Sequence, residues 1–447
     1  MTDQSSKSSL SRRQYVQLFG GAAGTVALAG CSSDSESGEG TSGGGTSGGG
    51  TSDGSGTNAL EIQHWWTDGG DGKAMDELQA GFREKHPDIK IEDNPIAGGG
   101  GQNLQAVVRK KVLEGNPPST WQDWPGANLR DYVEAGALKD IGYIFEGDMQ
   151  ENYRDSTLLS ARAGSENNPF VAVPLAIHRV NNLFYDIGAI EEAGVDISGL
   201  SDPKEFNEVL AQIDDGTDVA PLSVAMSAPW TVLQLWTSNF LGLHDAEAWK
   251  QFRAGEDVTA EVEAALEVTK TQFDYVTEDA GSIGNDAASQ KLPQGDAATA
   301  MEGDWMAGNL FAADGYEYDE HWQHVPFPGS EDFYNVNTDG FPYPKNNPSP
   351  KATDAWMSWV GSAEAQRRFC PIKGAIPCRG DVDVSEFNPF LQKQYEDFQN
   401  TTGVLTLAHG DGATPQQGTA LKNAMARFMD QGNVSATASA LQDAMTL

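Results

Sequence analysis

The sequence predicts a two-lobed α/β protein, and three observations carry that expectation. The body from Ala59 to Leu447 is longer than the roughly 250 to 300 residues at which a single hydrophobic core stops growing, so it should divide into two lobes. Its opening stretch alternates strand-like and helix-like periodicity. Hydrophobic residues make up 38% and aromatic residues 9%, with 11 tryptophans, enough apolar mass to build cores and exclude a wholly disordered chain.

The first segment reads as an address. Arg12-Arg13 is followed by a short, weakly apolar run from Leu18 to Gly30, the form of a twin-arginine export signal and too short for the roughly 20 apolar residues of a membrane span. Leu28-Ala29-Gly30-Cys31 has the form of a lipobox, with cleavage before Cys31 and lipidation of its thiol; an ordinary small-residue cleavage site is the alternative. Two acyl chains, at about 0.8 kcal/mol per buried methylene, anchor stably. Residues 31–58 are almost wholly Ser, Gly, Thr and acid, a flexible tether whose mean span is about 30 Å. The body is then expected to fold before export and to float at the extracellular face of the cell membrane.

Charge excludes whole function classes. With 29 basic and 65 acidic residues the formal net charge is −36, so nucleic acid and anionic lipid are repelled. The acids are scattered rather than blocked. That favours a solvated surface suited to concentrated salt, where the screening length shrinks to about 3 Å at 1 M, over a docking face for a basic partner, and it predicts a halophile.

In the body, Leu60 to Trp66 predicts a strand, Lys73 to Lys85 a helix with Met75, Leu78 and Phe82 on one face, and Ile89 to Ile91 a strand. Leu104 to Leu113 predicts a second helix and Thr120-Trp121-Gln122 a third strand. This β-α-β-α-β order argues for a parallel sheet with ligands beyond the carboxyl ends of its strands. The loops to inspect are therefore Trp65-Trp66-Thr67-Asp68, Gly98 to Gly101, and Gln122-Asp123-Trp124-Pro125. The glycine loop lacks a closing Lys-Ser or Lys-Thr and matches no dinucleotide fingerprint, so it reads as a permissive turn rather than a phosphate cradle.

Chemistry is sparsely signalled. A glycosidase needs only two carboxylates, which an acidic chain supplies by chance, and neither a Gly-x-Ser-x-Gly elbow nor a His-Glu-x-x-His helix is present. Scattered histidines such as His244 read as surface or packed residues. Cys370 and Cys378, eight positions apart in an exported chain, are expected to form a disulfide; they have no neighbours at metal-ligand spacing. No metal and no cofactor are expected. Asn400-Thr401-Thr402 and Asn433-Val434-Ser435 match the short glycosylation acceptor pattern.

Seven segments in order carry a family resemblance. They are Glu61 to Trp66, Glu114 to Gln122, Val173 to Arg179, Met301 to Trp305, Thr338 to Phe341, Pro371 to Ile376 and Ala408-His409-Gly410. Together they make the body resemble the extracellular solute-binding proteins of ABC sugar importers, in their glucose, galactose and mannose branch. The resemblance implies a periplasmic-binding-protein-like fold of the type II, maltose-binding-protein-like kind, each lobe a central sheet flanked by helices. It implies hinge crossings near 172–178, 336–342 and 371–378, an N-terminal lobe of 59–175 plus 339–375, and a C-terminal lobe of 176–338 plus 376–447. It further implies a monomer that is no enzyme, that closes on a neutral sugar, a monosaccharide such as glucose, and that hands it to the ABC permease membrane subunits. An exported glycoside-active enzyme or another oligosaccharide-binding surface protein is the alternative.

A pyranose has an apolar face and a rim of hydroxyls, so its site needs indole plates and charged or amide groups. Trp65, Trp66 and Trp124 lie on the loops that can supply plates; neighbours on a strand face opposite ways, and Trp66 is expected in the cleft. Asp68 shares that loop, and Gln122 ends a strand. By position the resemblance implies a ligand carboxylate at Asp339, an ammonium at Lys373 and an imidazole at His409, with Asp339 and Lys373 offsetting one another's desolvation. An interlobe salt bridge is the plainer role for that pair. Two positions depart from the relatives: Trp124 stands where they carry His, and Asn285 where they carry a stacking Trp. Trp230 is positioned to compensate from the second lobe. Asp304-Trp305 reads as structural, with Trp305 packed.

Overall fold

The computed structural model describes residues 59–67, 69–96 and 101–447. The export signal, Cys31, the tether through Asn58, Asp68 and Gly98 to Gly100 lie outside the described residues.

The predicted β-α-β-α-β opening is present. Strands β1 (Ala59–His64), β2 (Lys90–Pro95) and β3 (Thr120–Trp121) form a parallel sheet in the order β2-β1-β3. Leu60 and Ile62 point into the core because alternate strand residues share a face. The helix Gly69–Lys85 covers them with Met75, Leu78 and Phe82, the stripe that periodicity predicts. The second helix, Gln102–Leu113, buries Leu104, Val108 and Val112 against Trp121 and Tyr132.

Two further sheets follow. Strands β4 (Ala172–Arg179), β9 (Phe333–Pro342), β10 (Ile376–Pro377) and β11 (Thr402–Leu405) give the order β10-β4-β9-β11. The long pair β4 and β9 runs antiparallel through the centre, with a register shift between Pro174 and Ala176. Three segments expected to cross between lobes therefore lie side by side in one sheet. An isolated bridge from Asp123 to Gly340 joins it to the first sheet. The third sheet has the order β6-β7-β5-β8, from β5 (Asn182–Asp186), β6 (Ala220–Ser223), β7 (Ala297–Glu302) and β8 (Trp322–Pro326).

Beyond it, the helix Pro229–Leu243 is buried continuously from Thr231 to Leu241. It is enclosed by Thr259–Gln272 and Pro415–Gln431, whose Val262, Leu266, Leu421, Met425 and Phe428 share its core, while its buried Asn239 bonds Thr269 and Gln272. His244, just past its end, is half-buried against Phe240 with its Nε2 3.2 Å from the Glu261 carbonyl, a packed residue rather than a ligand.

The expected disulfide is not formed. Cys370 and Cys378 are free thiols, both fully buried in the apolar core. Burial lifts both thiol pKa values well above the usual range, so each packs as a small neutral side chain. An oxidising compartment permits a bond between two cysteines; packing decides whether their sulfurs meet.

Arg179, at the end of β4, is a fully buried guanidinium. Its Nη1 donates to Asp397 (2.9 Å), its Nη2 to the Phe333 carbonyl (2.9 Å) and its Nε to Asn181 Oδ1 (3.2 Å). Breaking a buried pair on one side leaves the partner unpaired, at a cost of about 3 to 5 kcal/mol. Arg179→Ala should lower the unfolding free energy by that amount, read from denaturant midpoints in concentrated salt. A loss below about 1 kcal/mol would show that the pair holds nothing together.

Candidate functional site

The loops beyond β1, β3, β7 and β11 and the first turn of Pro229–Leu243 meet around one imidazole. His409, after β11, has ring centroids of three indoles at short range: Trp230 at 5.2 Å, Trp305 at 5.3 Å and Trp124 at 5.5 Å. Trp65 extends the group, edge-on to Trp124 at 4.9 Å. All four indoles are partly exposed. His409 Nε2 lies 3.3 Å from Gln234 Oε1, one turn along from Trp230. Burial, with repulsion from Lys422 and His178, pushes its pKa down to about 3, so the ring is neutral at any working pH.

Beside the aromatic group lies a buried polar network. Gln122 Nε2 donates to Asp339 Oδ1 at 3.1 Å, and among the described residues Gln122 Oε1 has no hydrogen-bond partner. His178 Nδ1 sits 2.5 Å from Asp304 Oδ1, and its Nε2 lies 3.3 Å from Asp339 Oδ2, an ion-pair distance without hydrogen-bond geometry. Burial raises the Asp339 carboxyl, but His178 and Lys373 outweigh it and hold the pKa below the usual range. Burial depresses His178, but Asp304 outweighs it and the pKa is raised. Lys373 is also buried, yet Asp71 and Asp339 raise its pKa.

One sequence expectation is corrected here, and one is sharpened. Trp66 is not the cleft residue: it is 2% exposed and packs against Phe369 (5.1 Å) and Phe341 (6.2 Å), while Trp65 faces Trp124. Strand β1 ends at His64, and the turn that follows sends the second indole into the core. Lys373 and Asp339 favour one another's charged form as expected, but without a direct ion pair between them. Its Nζ is 3.2 Å from Asp71 Oδ1, and Asp339 takes His178 and Gln122 as its near partners. Asn285 opens the short helix Asn285–Ser289 and bonds its neighbour Asp286 at 3.3 Å, with no part in the aromatic group.

Sequence reasoning missed His178, Glu302 and the exposure of Trp305. Trp305 is half-exposed and edge-on to both His178 (5.4 Å) and His409. Its six-membered ring lies over Gly303, where an added Cβ would come within 2.3 Å of it, so glycine is required there. Its Nε1 donates to Glu302 Oε1 at 2.6 Å. The sequence Glu302-Gly303-Asp304-Trp305 carried these residues, but nothing in spacing told which way the indole turns. Asp123 is similar: buried, it accepts from Trp121 Nε1 (2.9 Å), the Trp124 amide (2.9 Å) and Asn128 (2.8 Å), and burial lifts its pKa to about 6. Gly126, at φ 128°, lets this loop clasp the His409 loop through Ala127 N to Asp411 O (2.7 Å) and Asn128 N to Gly410 O (2.9 Å). An open depression of about 540 Å³ near His244, Asp332 and Asn400 shares no residue with this site and converges no indoles.

Burial lifts the Glu302 carboxyl to about 8 against the opposing Trp305 hydrogen bond, so it is an acid at neutral pH. The folded chain then holds a proton that the unfolded chain loses near pH 4.5, and stability falls as pH rises from there to about 8. At 1.36 kcal/mol per unit the fall is about 5 kcal/mol. Glu302→Gln should remove most of that slope, and with it any tryptophan emission change centred near pH 8. An unchanged slope would show that Glu302 does not carry the buried proton.

Comparison with known proteins agrees with this architecture. Residues 65–367 match the family described as bacterial extracellular solute-binding protein. The chain is 39% identical to the xylose/arabinose-binding protein XacG of Haloferax volcanii, over 87% of this chain and 84% of that one. It is 31% identical to an uncharacterized ABC transporter extracellular-binding protein of Pyrococcus horikoshii, over 80% of each. Among solved structures, the galactopyranose receptor AcbH superposes with a TM-score of 0.72 over 87% of this chain and 97% of its own, at 15% identity. The GacH receptor of Streptomyces glaucescens gives 0.67 over 86% and 97%, at 17% identity. The fold is thus that of the two-lobed, maltose-binding-protein-like solute receptors, and the chain belongs to the bacterial extracellular solute-binding protein family.

Proposed function

We propose that this protein is the extracellular, membrane-tethered sugar-binding component of an ABC importer, capturing a neutral monosaccharide by hinge closure and delivering it to the permease subunits without turnover. The observation that carries this reading is the meeting of four half-exposed indoles, Trp65, Trp124, Trp230 and Trp305, beside the buried Gln122–Asp339 pair. Indole faces suit the C–H face of a sugar ring, and an ionised Asp339 with Lys373 behind it suits the hydroxyl rim. The indoles come from loops on both sides of the crossing sheet, so a ligand between them favours the closed state. Trp124 in place of a smaller ring, and three indoles closing on His409, favour a single small ring. The 39% relative named for xylose and arabinose makes the aldopentoses the first candidates, ahead of the glucose implied by the sequence resemblance.

Cys31 is the proposed lipid anchor and residues 31–58 the tether, after twin-arginine export; Cys31→Ala should move the protein from the membrane fraction into the medium. Retention in the membrane fraction would remove the anchor.

Calorimetry in concentrated salt with xylose, arabinose, glucose, galactose, mannose and maltose, followed by product analysis, tests the capture reading. One monosaccharide should bind at one site with micromolar affinity, about −8 kcal/mol. Asp339→Asn should weaken it about 10- to 100-fold, a charge-assisted hydrogen bond being worth about 1.5 to 3 kcal/mol. Trp65→Ala should weaken it about 10-fold, and Trp66→Ala should act on stability instead, by about 3 to 5 kcal/mol. Flat titrations across the panel, or released product, would overturn the reading.

A further inference from the structure

We propose that His178 is a positioning residue for sugar capture: its ring clamps Asp339, on the crossing strand β9, to Asp304 and Trp305, on the turn after β7. The hydroxyl-binding carboxylate and an indole plate are thereby held as one unit. The proposal rests on the capture reading above and adds to it a residue that no direct ligand contact requires.

The geometry is specific. In the antiparallel register His178 pairs with Asn337, which makes Asp339 its diagonal neighbour on the same face of the sheet. One imidazole nitrogen reaches back to that carboxylate at 3.3 Å, and the other reaches Asp304 at 2.5 Å. Asp304 is tied to the same strand twice more: its Oδ2 accepts from Arg179 N (3.1 Å), and its own N donates to Arg179 O (2.9 Å). The turn bearing Trp305 is therefore stitched to the end of β4, and the Trp305 ring lies edge-on to the imidazole at an interplanar angle of 71°. His178 is 1% exposed, Asp304 0% and Asp339 3%, so solvent cannot substitute for a lost partner.

A ring between two carboxylates binds both only when both its nitrogens carry protons. The charged and titratable groups facing it are Asp304 from the β7 turn, Asp339 from β9, Lys373 from the end of Ala363–Lys373 and His409 from the loop after β11. Asp304 and Asp339 favour the imidazolium and Lys373 opposes it, with the net raised above the ordinary 6.5. Below the unfolded value of about 6.5 the clamp's contribution to stability is fully present. It is lost as pH rises through the higher folded value, when Nε2 or Nδ1 must release a carboxylate.

The test uses the full chain with the monosaccharide that binds tightest in the panel, its affinity measured from pH 6.5 to 9.5 for the wild type, His178→Gln, Asp304→Asn and Glu302→Gln. Wild-type affinity should fall at least 10-fold as pH rises through the His178 titration. His178→Gln should bind at least 10-fold more weakly at pH 6.5 and lose that pH dependence, whereas Glu302→Gln should keep the fall. Asp304→Asn should move the fall to lower pH, which keeps the test open if His178→Gln does not fold. The ¹⁵N shifts of the wild-type imidazole should report a doubly protonated ring at pH 6. Binding by His178→Gln within twofold of the wild type with an unchanged pH profile, or a neutral ring at pH 6, would overturn the clamp while leaving capture intact. If no saccharide binds the wild type at all, the capture reading itself fails and the clamp falls with it.

Discussion

The antiparallel pairing of β4 with β9 sets the chemistry of the molecule. Its register puts His178 and Asp339 on one face, and the turn after β7 returns to the end of β4 so that Asp304 completes the row. Lys373 and Asp71 extend it from the helices packed alongside. Ions taken out of water at this depth persist only if each has a partner of opposite sign at close range. With His178 protonated, the row alternates in sign from Asp71 through Lys373, Asp339 and His178 to Asp304, so the strand register and the charge pairing must be right together.

The same protein uses charge in two regimes. On the surface the acids are numerous and scattered, and in concentrated salt they interact over only a few ångströms. In the β10-β4-β9-β11 sheet a handful of charges is buried and is screened by salt much less. Surface acidity thus governs solubility and leaves the site's electrostatics to local geometry. His409 falls on the other side of this division: held among indoles and kept neutral, it offers a hydrogen-bonding ring without adding charge.

Much of the architecture was legible because it depends on periodicity. Leu60, Ile62, Met75, Leu78 and Phe82 fall where strand and helix spacing puts them. Gln122, Trp124 and Trp65 fall beyond strand ends, where open sheets present their ligands. The failures share a cause. Trp66 lies past the last residue of β1, where alternation no longer fixes direction. Lys373 finds Asp71 because two helices remote in sequence pack together, and Trp305 turns outward because Gly303 and Glu302 shape its seat. None of these is a repeat of period two or 3.6. They are decided by tertiary packing, which a single sequence encodes without displaying.

The unbonded state of Cys370 and Cys378 reaches beyond the core they fill. Among the described residues no cross-link has to close, so their packing has no step that waits for an oxidant, and a reducing agent removes nothing from it. The core around Cys370 and Cys378 can therefore reach the same packing in a reducing or an oxidising environment.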